Sequence, residues 1–220
     1  MHPHHQALEE EMLGWAERHH QAGGPSGADR GPLSLYVYDH DRERQARLQG
    51  RGYRNLGHVG YLRRRSLDKP VPEFGVPPGV ALRSLIATDR ADLEKRAAIA
   101  NSAFDITKHT AQTIQMLQQA PTYRPELDLV AVGPDGTFAA YCVVWYDKAN
   151  RIGMFGPVGT HRAYCRRGLG KALLREGLLR LEALGTRMAY VDCDLDAAAN
   201  RLYESAGFID YDRVYHWQKE

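Results

Sequence analysis

One stretch limits the architecture more than any other: residues 154–174, MFGPVGTHRAYCRRGLGKALL. It reads as a strand, a loop rich in glycine and arginine, and a helix. Met154 and Phe155 close an apolar strand. Pro157 lacks the N–H that a ladder needs and Gly159 weakens pairing, so a bulge or a splayed strand end is predicted here. A helical period starts at Leu169 and runs through Leu173, Leu174, Leu178 and Leu181. Gly168 and Gly170 flank its start, where glycine lets backbone come close to a ligand. The first turn offers unpaired N–H groups and the positive end of the helix dipole, which suits phosphate. Arg166, Arg167, Lys171 and Arg175 add cationic side chains. The loop is not the G-x-x-x-x-G-K-[ST] type, and Gly168-Leu-Gly170 lacks the third glycine of the dinucleotide fingerprint. Taken alone, G-x-G also fits a tight strand-to-helix turn with no ligand.

A second motif, Leu202-Tyr-Glu-Ser-Ala-Gly-Phe208, follows after a short strand. The pair, R-G-x-G and then L-Y-x-x-x-G-F, resembles the GNAT superfamily of acyl-CoA-dependent N-acyltransferases, from about Gly79 to the C-terminus. The resemblance implies an α+β layered fold. Its mixed, mainly antiparallel sheet carries helices on both faces and splays its strands at the acyl-CoA site. It also implies site residues. Val158, Gly159 and Thr160 would pair with the pantetheine arm. The N–H groups of Cys165, Arg166, Arg167, Gly168, Leu169, Gly170 and Lys171 would hold the pyrophosphate. Tyr203 would be the general acid at the CoA sulfur, with a merely packed aromatic as the alternative. Three positions depart from the family pattern: Cys165 where Gln or Arg is usual, Gly156 where similar proteins often carry Glu, and Asp196 where Asn is frequent.

The chemistry of the remaining candidates follows from position. Asn200 lies three residues before Tyr203 on one helix and so faces the same way; it would contact CoA or sit on the surface. An ammonium cannot attack a thioester until it loses a proton. Asp192 and Asp194 share a strand face with Tyr190 near the splay; either could act as the base, directly or through water, with Asp192 as the candidate and proton loss to water without a dedicated base as the alternative. No Cys/His or Ser/His pair suggests an acyl-enzyme, so direct acetyl transfer from acetyl-CoA to a primary amine is expected. The acceptor would be a small molecule or a peptide. A non-catalytic acyl-CoA sensor or assembly module is the rival reading, motivated by the three departures. A thioesterase-like or O-acyl activity is a weaker one.

The bulk properties narrow the setting. At 220 residues the chain can bury a real core, and its net charge of +2 favours neither nucleic acid nor an anionic membrane. Cys142, Cys165 and Cys193 are odd in number and have no metal-ligand spacing, which points to a reducing cytoplasm and no metal. No run is long enough to span a membrane. Met1-His-Pro-His-His reads as a polar, disordered end rather than a metal site.

The chain divides by pattern into 1–65, 66–78 and 79–220. In the first part, residues 6–21 read as a helix with Leu8, Met12, Leu13 and Trp15 on one face. A Gly/Pro/Ser break follows at Ala22–Pro32. Then come a strand (Leu33–Tyr38), a polar helix (Asp41–Gly50) and a strand (Tyr53–Arg64). Placing Gly52 on Gly207 pairs Asp41 with Asp196, Leu48 with Tyr203 and Tyr53 with Phe208. This suggests a truncated, degenerate GNAT-like half-unit whose front half would precede Met1 and which binds no CoA. Chance likeness of two strand–helix–strand segments is the alternative. Such a half-unit exposes edges and an apolar face. It must dock on the second unit or on another copy of the chain, so a homodimer is among its expected states. Residues 66–78, which carry Pro70, Pro72, Pro77 and Pro78, read as a stiff linker.

Overall fold

The computed structural model describes residues 6–21 and 31–220. The histidine-bearing terminus and most of the Ala22–Pro32 break lie outside the described residues. The chain forms two compact units, Met1–Val59 with Asp212–Glu220, and Gly60–Tyr211. This differs from the sequence division in two places. Residues 60–66 pair within the second unit's sheet, and residues 214–219 pair with the first strand. Both pairings join segments far apart in sequence, which local pattern does not report.

The first unit contains α1 (Gln6–Gln21), β1 (Leu33–Tyr38), α2 (Arg42–Gly50), the start of β2 (Arg54–Ser66) and the end of β8 (Ile209–Lys219). β1 and β8 are antiparallel, from Leu33↔Lys219 to Tyr38↔Val214. Leu13, Val37, Leu48, Tyr53 and Trp217 form its small core. The helix α1 is oriented by charge as much as by apolar contact. Arg44 and Arg47 both pair with Glu9, Arg47 reaches Glu10 at 2.8 Å, and Arg51 clasps Glu17 at 3.1 and 2.8 Å. Only Leu13 of the expected apolar face is buried; Leu8, Met12 and Trp15 are exposed. Glu9, Leu13 and Glu17 lie four residues apart, so one helix face serves both the arginines and the core.

The second unit adds β3 (Ala81–Ser84), α3 (Arg90–Phe104), α4 (Ala111–Leu117), β4 (Asp128–Val132), β5 (Phe138–Asp147), β6 (Ile152–Thr160), α5 (Leu169–Ala183), β7 (Met188–Asp194) and α6 (Ala197–Ser205). Its strand order is β2-β7-β6-β5-β4-β3. Only β6 and β7 pair in parallel there; the other pairs are antiparallel. Asp89, Thr110 and Asp196 cap α3, α4 and α6 with their side chains. Leu93, Ile99, Ala100 and Ile114 of α3 and α4 bury against Val130, Phe138 and Tyr141. Leu173, Leu174, Leu178 and Leu181 of α5 bury against Leu129, Cys142, Val144 and Phe155 on the opposite face. Each fully buried leucine, isoleucine, valine or phenylalanine among them contributes about 1.5–3 kcal/mol of transfer free energy. This is the layered, mainly antiparallel α+β fold that the motifs implied.

The proline-rich segment is fastened rather than free. Leu67 is buried, Val71 and Phe74 pack on the α5-side core, and Arg65 donates to the carbonyls of Ser66, Pro70 and Ala206. Two strand–helix–strand segments, β1–α2–β2 and β7–α6–β8, share local detail. Asp41 and Asp196 cap their helices, and Gly52 and Gly207 have φ of 84° and 85°. The N–H groups of Tyr53 and Phe208 donate to Leu48 and Tyr203 carbonyls at 3.0 and 3.1 Å.

Candidate active site

The parallel pairing of β6 and β7 runs from Ile152↔Met188 to Phe155↔Val191 and stops. Beyond it each strand keeps its other neighbour. β6 continues along β5 through Val158↔Cys142, Gly159↔Tyr141 and Thr160↔Ala140. β7 continues along β2 through Asp192↔Leu62, Cys193↔Tyr61 and Asp194↔Gly60. The parting begins at a bulge where Gly156 and Pro157 oppose Val143 alone. The indole N–H of Trp145 donates to the Gly156 carbonyl at 2.7 Å and holds the bulge in place. Thus Val158, Gly159 and Thr160 present a strand edge toward β7 with no strand partner there among the described residues. Gly159 is required by packing: a Cβ there would lie 2.6 Å from the Tyr141 ring and 2.9 Å from Ala103.

The chain then curls into α5. His161 N–H donates to Ala139, a single turn follows at Arg162–Tyr164, and Arg166 and Gly168 take φ of 61° and 82°. Gly168 caps α5 with no side chain of its own, so the N–H groups of the first turn at Leu169, Gly170 and Lys171 have no capping side chain. Cys165, Arg166, Arg167 and Lys171 are exposed around that turn, while Leu169 is buried. The two glycines differ in task. Gly168 supplies the left-handed turn, whereas Gly170 admits α6, since a Cβ would meet Leu202 at 3.1 Å. The Cys165 thiol lies 3.6 Å from the His161 carbonyl.

Tyr203 is 7 % exposed on α6, edge-on to Phe208 at 6.1 Å. Burial pushes its phenol pKa up, and the nearby Cys142, Cys193 and Asp194 add to the rise. It therefore keeps its proton at neutral pH. Cys142 sits on β5 opposite Val158, and Cys193 sits on β7, so Tyr203 stands beside the wedge between the diverging strands. No described residue hydrogen-bonds its hydroxyl.

Asp192 is exposed on the other face of β7 from Cys193 and Tyr203. The structure thus separates the two expected catalytic side chains across the strand. Asn200 does share a side with Tyr203, but its amide N–H groups donate to the carbonyls of Asp194 and Asp196 at 3.0 and 2.6 Å. Its Oδ1 takes the Cys193 thiol at 3.5 Å. Its visible role is to fasten the start of α6.

Sequence reasoning did not single out the buried pair beneath this strand edge. Arg96 of α3 lies 3.4 Å from Asp128, with side chains 2 % and 0 % exposed. Tyr123 donates to Asp128 at 3.1 Å, and the Arg96 guanidinium stacks 3.5 Å from the Tyr141 ring centre. The signal available was an arginine three residues after Leu93, inside an otherwise apolar helix stripe.

No helix among the described residues is long and apolar enough to cross a membrane, and no cluster of three or more His, Cys, Asp or Glu among them is placed to hold a metal.

A layered unit with one parallel strand pair that parts beside an arginine-rich helix start defines an acetyltransferase-type fold. The match to the Acetyltransferase (GNAT) family spans residues 96–208, and the chain belongs to that family. It is 29% identical over 195 residues to a mycothiol acetyltransferase of Paenarthrobacter aurescens, covering 83% of this chain and 59% of that one. A mycothiol acetyltransferase of Salinispora tropica is 29% identical over 200 residues, covering 86% and 63%. The chain thus spans about three-fifths of the length of these curated relatives. Among solved structures, a GCN5-related N-acetyltransferase of Sphaerobacter thermophilus has a TM-score of 0.73 at 24% identity, over 100% of this chain and 70% of that one. A tandem GNAT protein of the clavulanic acid biosynthesis pathway has 0.72 at 19%, over 98% and 69%. These two likenesses show the fold.

Proposed function

We propose that the protein is an acetyl-CoA-dependent N-acetyltransferase that moves an acetyl group directly onto a primary amine. The observation that carries this is the parting of β6 from β7 after Phe155 and Val191. It leaves a strand edge at Val158–Thr160 that suits the amide groups of a pantetheine arm, which bind as an added strand does. The uncapped turn at Cys165–Lys171, with Arg166, Arg167 and Lys171, suits a diphosphate. These residues fit acyl-CoA as a donor. When bound, it supplies an activated acetyl group. Asn200 supports the cofactor side by fixing the start of α6.

The residues divide the proton traffic between two faces. Asp192, on the acceptor face, accepts the proton that the amine must lose. Tyr203, on the other face, donates a hydrogen bond to sulfur as the C–S bond breaks and the N–C bond forms. Its raised pKa favours donation at neutral pH over ionisation. Backbone at Val158 polarises the carbonyl. The acceptor is a small-molecule or peptide amine. Because the relatives are named mycothiol acetyltransferases, a mycothiol-type amine stands first in any panel. Residues 1–65 are read as a degenerate half-unit, supported by the matched caps and turns of β1–α2–β2 and β7–α6–β8, with Leu48 where Tyr203 stands. Free cysteines at 142, 165 and 193 agree with a cytoplasmic setting.

The test is a primary-amine panel with release of the free CoA thiol as readout, beside calorimetry of acetyl-CoA. Transfer to at least one amine is expected. Tight acetyl-CoA binding without transfer to any amine would favour a non-catalytic acyl-CoA-binding module.

A further inference from the structure

We infer that the acceptor is an amino-acid-like molecule whose carboxylate is held by Arg64, with its amine toward Asp192. This rests on the N-acetyltransferase reading above. Register places a row of side chains across the second unit's sheet: Trp145 opposite Met154, Met154 opposite Tyr190, and Tyr190 opposite Arg64. Alternation puts all four on the face of Tyr141 and Gly159, the face that α3 and α4 cover over β4 and β5. None of the four belongs to either core of this unit. The row continues in Tyr211, 50% exposed, which meets Tyr190 edge-on at 6.1 Å and lies under the Arg64 guanidinium at 4.2 Å. At the other end Tyr123 stands edge-on to Trp145. Asp192 is the next residue of β7 on this same face, at the mouth of the splay.

Arg64 differs from its neighbours. Arg63, on the opposite face, pairs with Glu204 and Asp210 at 3.2 and 3.0 Å, and Arg65 donates to main-chain carbonyls. Arg64 has no carboxylate partner among the described residues, and its guanidinium carbon lies 4.2 Å from the centre of the Tyr211 ring. A stacked guanidinium keeps its edge N–H groups for a carboxylate, which it grips with two parallel bonds. Asp192 faces Leu62 and Arg64 faces Tyr190, so the two charges are diagonal neighbours across an antiparallel pair. Such neighbours lie roughly 7–8 Å apart. That span suits an amine and a carboxylate a few bonds apart, with an apolar side chain lying on Tyr190.

The experiment compares L-tyrosine with tyramine, which differ by the carboxylate alone, in wild type, Arg64→Gln and Arg64→Lys, by initial rates of CoA thiol release. Wild type is expected to show a KM for tyrosine at least tenfold below that for tyramine. Arg64→Gln is expected to raise KM for tyrosine by about 10- to 100-fold with kcat within twofold, and to move KM for tyramine by less than twofold. Arg64→Lys restores part of the loss. Equal shifts for both amines, or transfer to tyramine with none to tyrosine, overturn the inference and leave the N-acetyltransferase reading standing. Acetyl-CoA binding without thiol release for any amine overturns both.

Discussion

Tyr203→Phe removes one oxygen and leaves the ring in place. The ring packs against Phe208 and is buried, so that contact survives the change. The lost hydroxyl has no hydrogen-bond partner among the described residues, so stability should move by less than about 1 kcal/mol. Acetyl-CoA affinity should hold, because Val158–Thr160 and Cys165–Lys171 are untouched. What should change is the barrier. A hydrogen bond to a group carrying developing charge is worth about 2–3 kcal/mol, or roughly 30- to 150-fold in kcat. The assay pairs calorimetry of acetyl-CoA with pre-steady-state thiol release, so that chemistry is read apart from product loss. A further sign can be checked: burial holds the phenol pKa up, so no loss of activity from Tyr203 ionisation should appear between pH 6 and about 9. Unchanged kcat at intact affinity would refute the assignment, and Tyr203 would then be a packed aromatic.

Three other perturbations read the frame of the site. Gly159→Ala forces a Cβ to within 3 Å of Tyr141 and Ala103; it should cost about 1–3 kcal/mol in denaturant unfolding and weaken acetyl-CoA by tenfold or more. Asp128→Asn strands the Arg96 charge and should cost about 3–5 kcal/mol, while Arg96→Met with Asp128→Leu should recover most of it; a double variant as unstable as the single one would contradict this. Asp92 is held by Arg83 at 2.6 and 2.8 Å and by the Ile86 N–H at 2.9 Å. Burial alone would raise its pKa, but these partners outweigh burial and lower it below the ordinary value near 3.8. Its contribution is thus present above that value and lost as pH falls through the folded pKa. The stability gap between wild type and Asp92→Asn should close on acidification below about pH 4; a gap unchanged at pH 3 would argue against it.

Much of the site was legible because its signals are local. Pro157 and Gly159 marked the bulge region, the leucine period fixed α5, and Asp196 announced the start of α6. Other features depend on partners distant in sequence. The close packing of Leu202 on Gly170 is one that no local pattern reports. The exposed placement of Leu8, Met12 and Trp15 follows from Glu9 and Glu17 seeking arginines on α2. Arg96 stands out only once Asp128 and Tyr141 are brought beside it. The proline-rich segment reads as a spacer because its anchors, Leu67 and Phe74, are isolated apolar residues whose partners lie on another element.

The exchange of terminal strands has a consequence for biosynthesis. The first unit draws Val214–Lys219 into its sheet beside β1, so β1 cannot complete its pairing until β8, far downstream in the chain, has been synthesised. During that interval β1 has an open edge on the side later filled by β8, and its sequence, LSLYVY, carries no charge to discourage wrong pairing. Elongation speed and chaperone access, rather than final stability, should then govern how much of the chain reaches its native form.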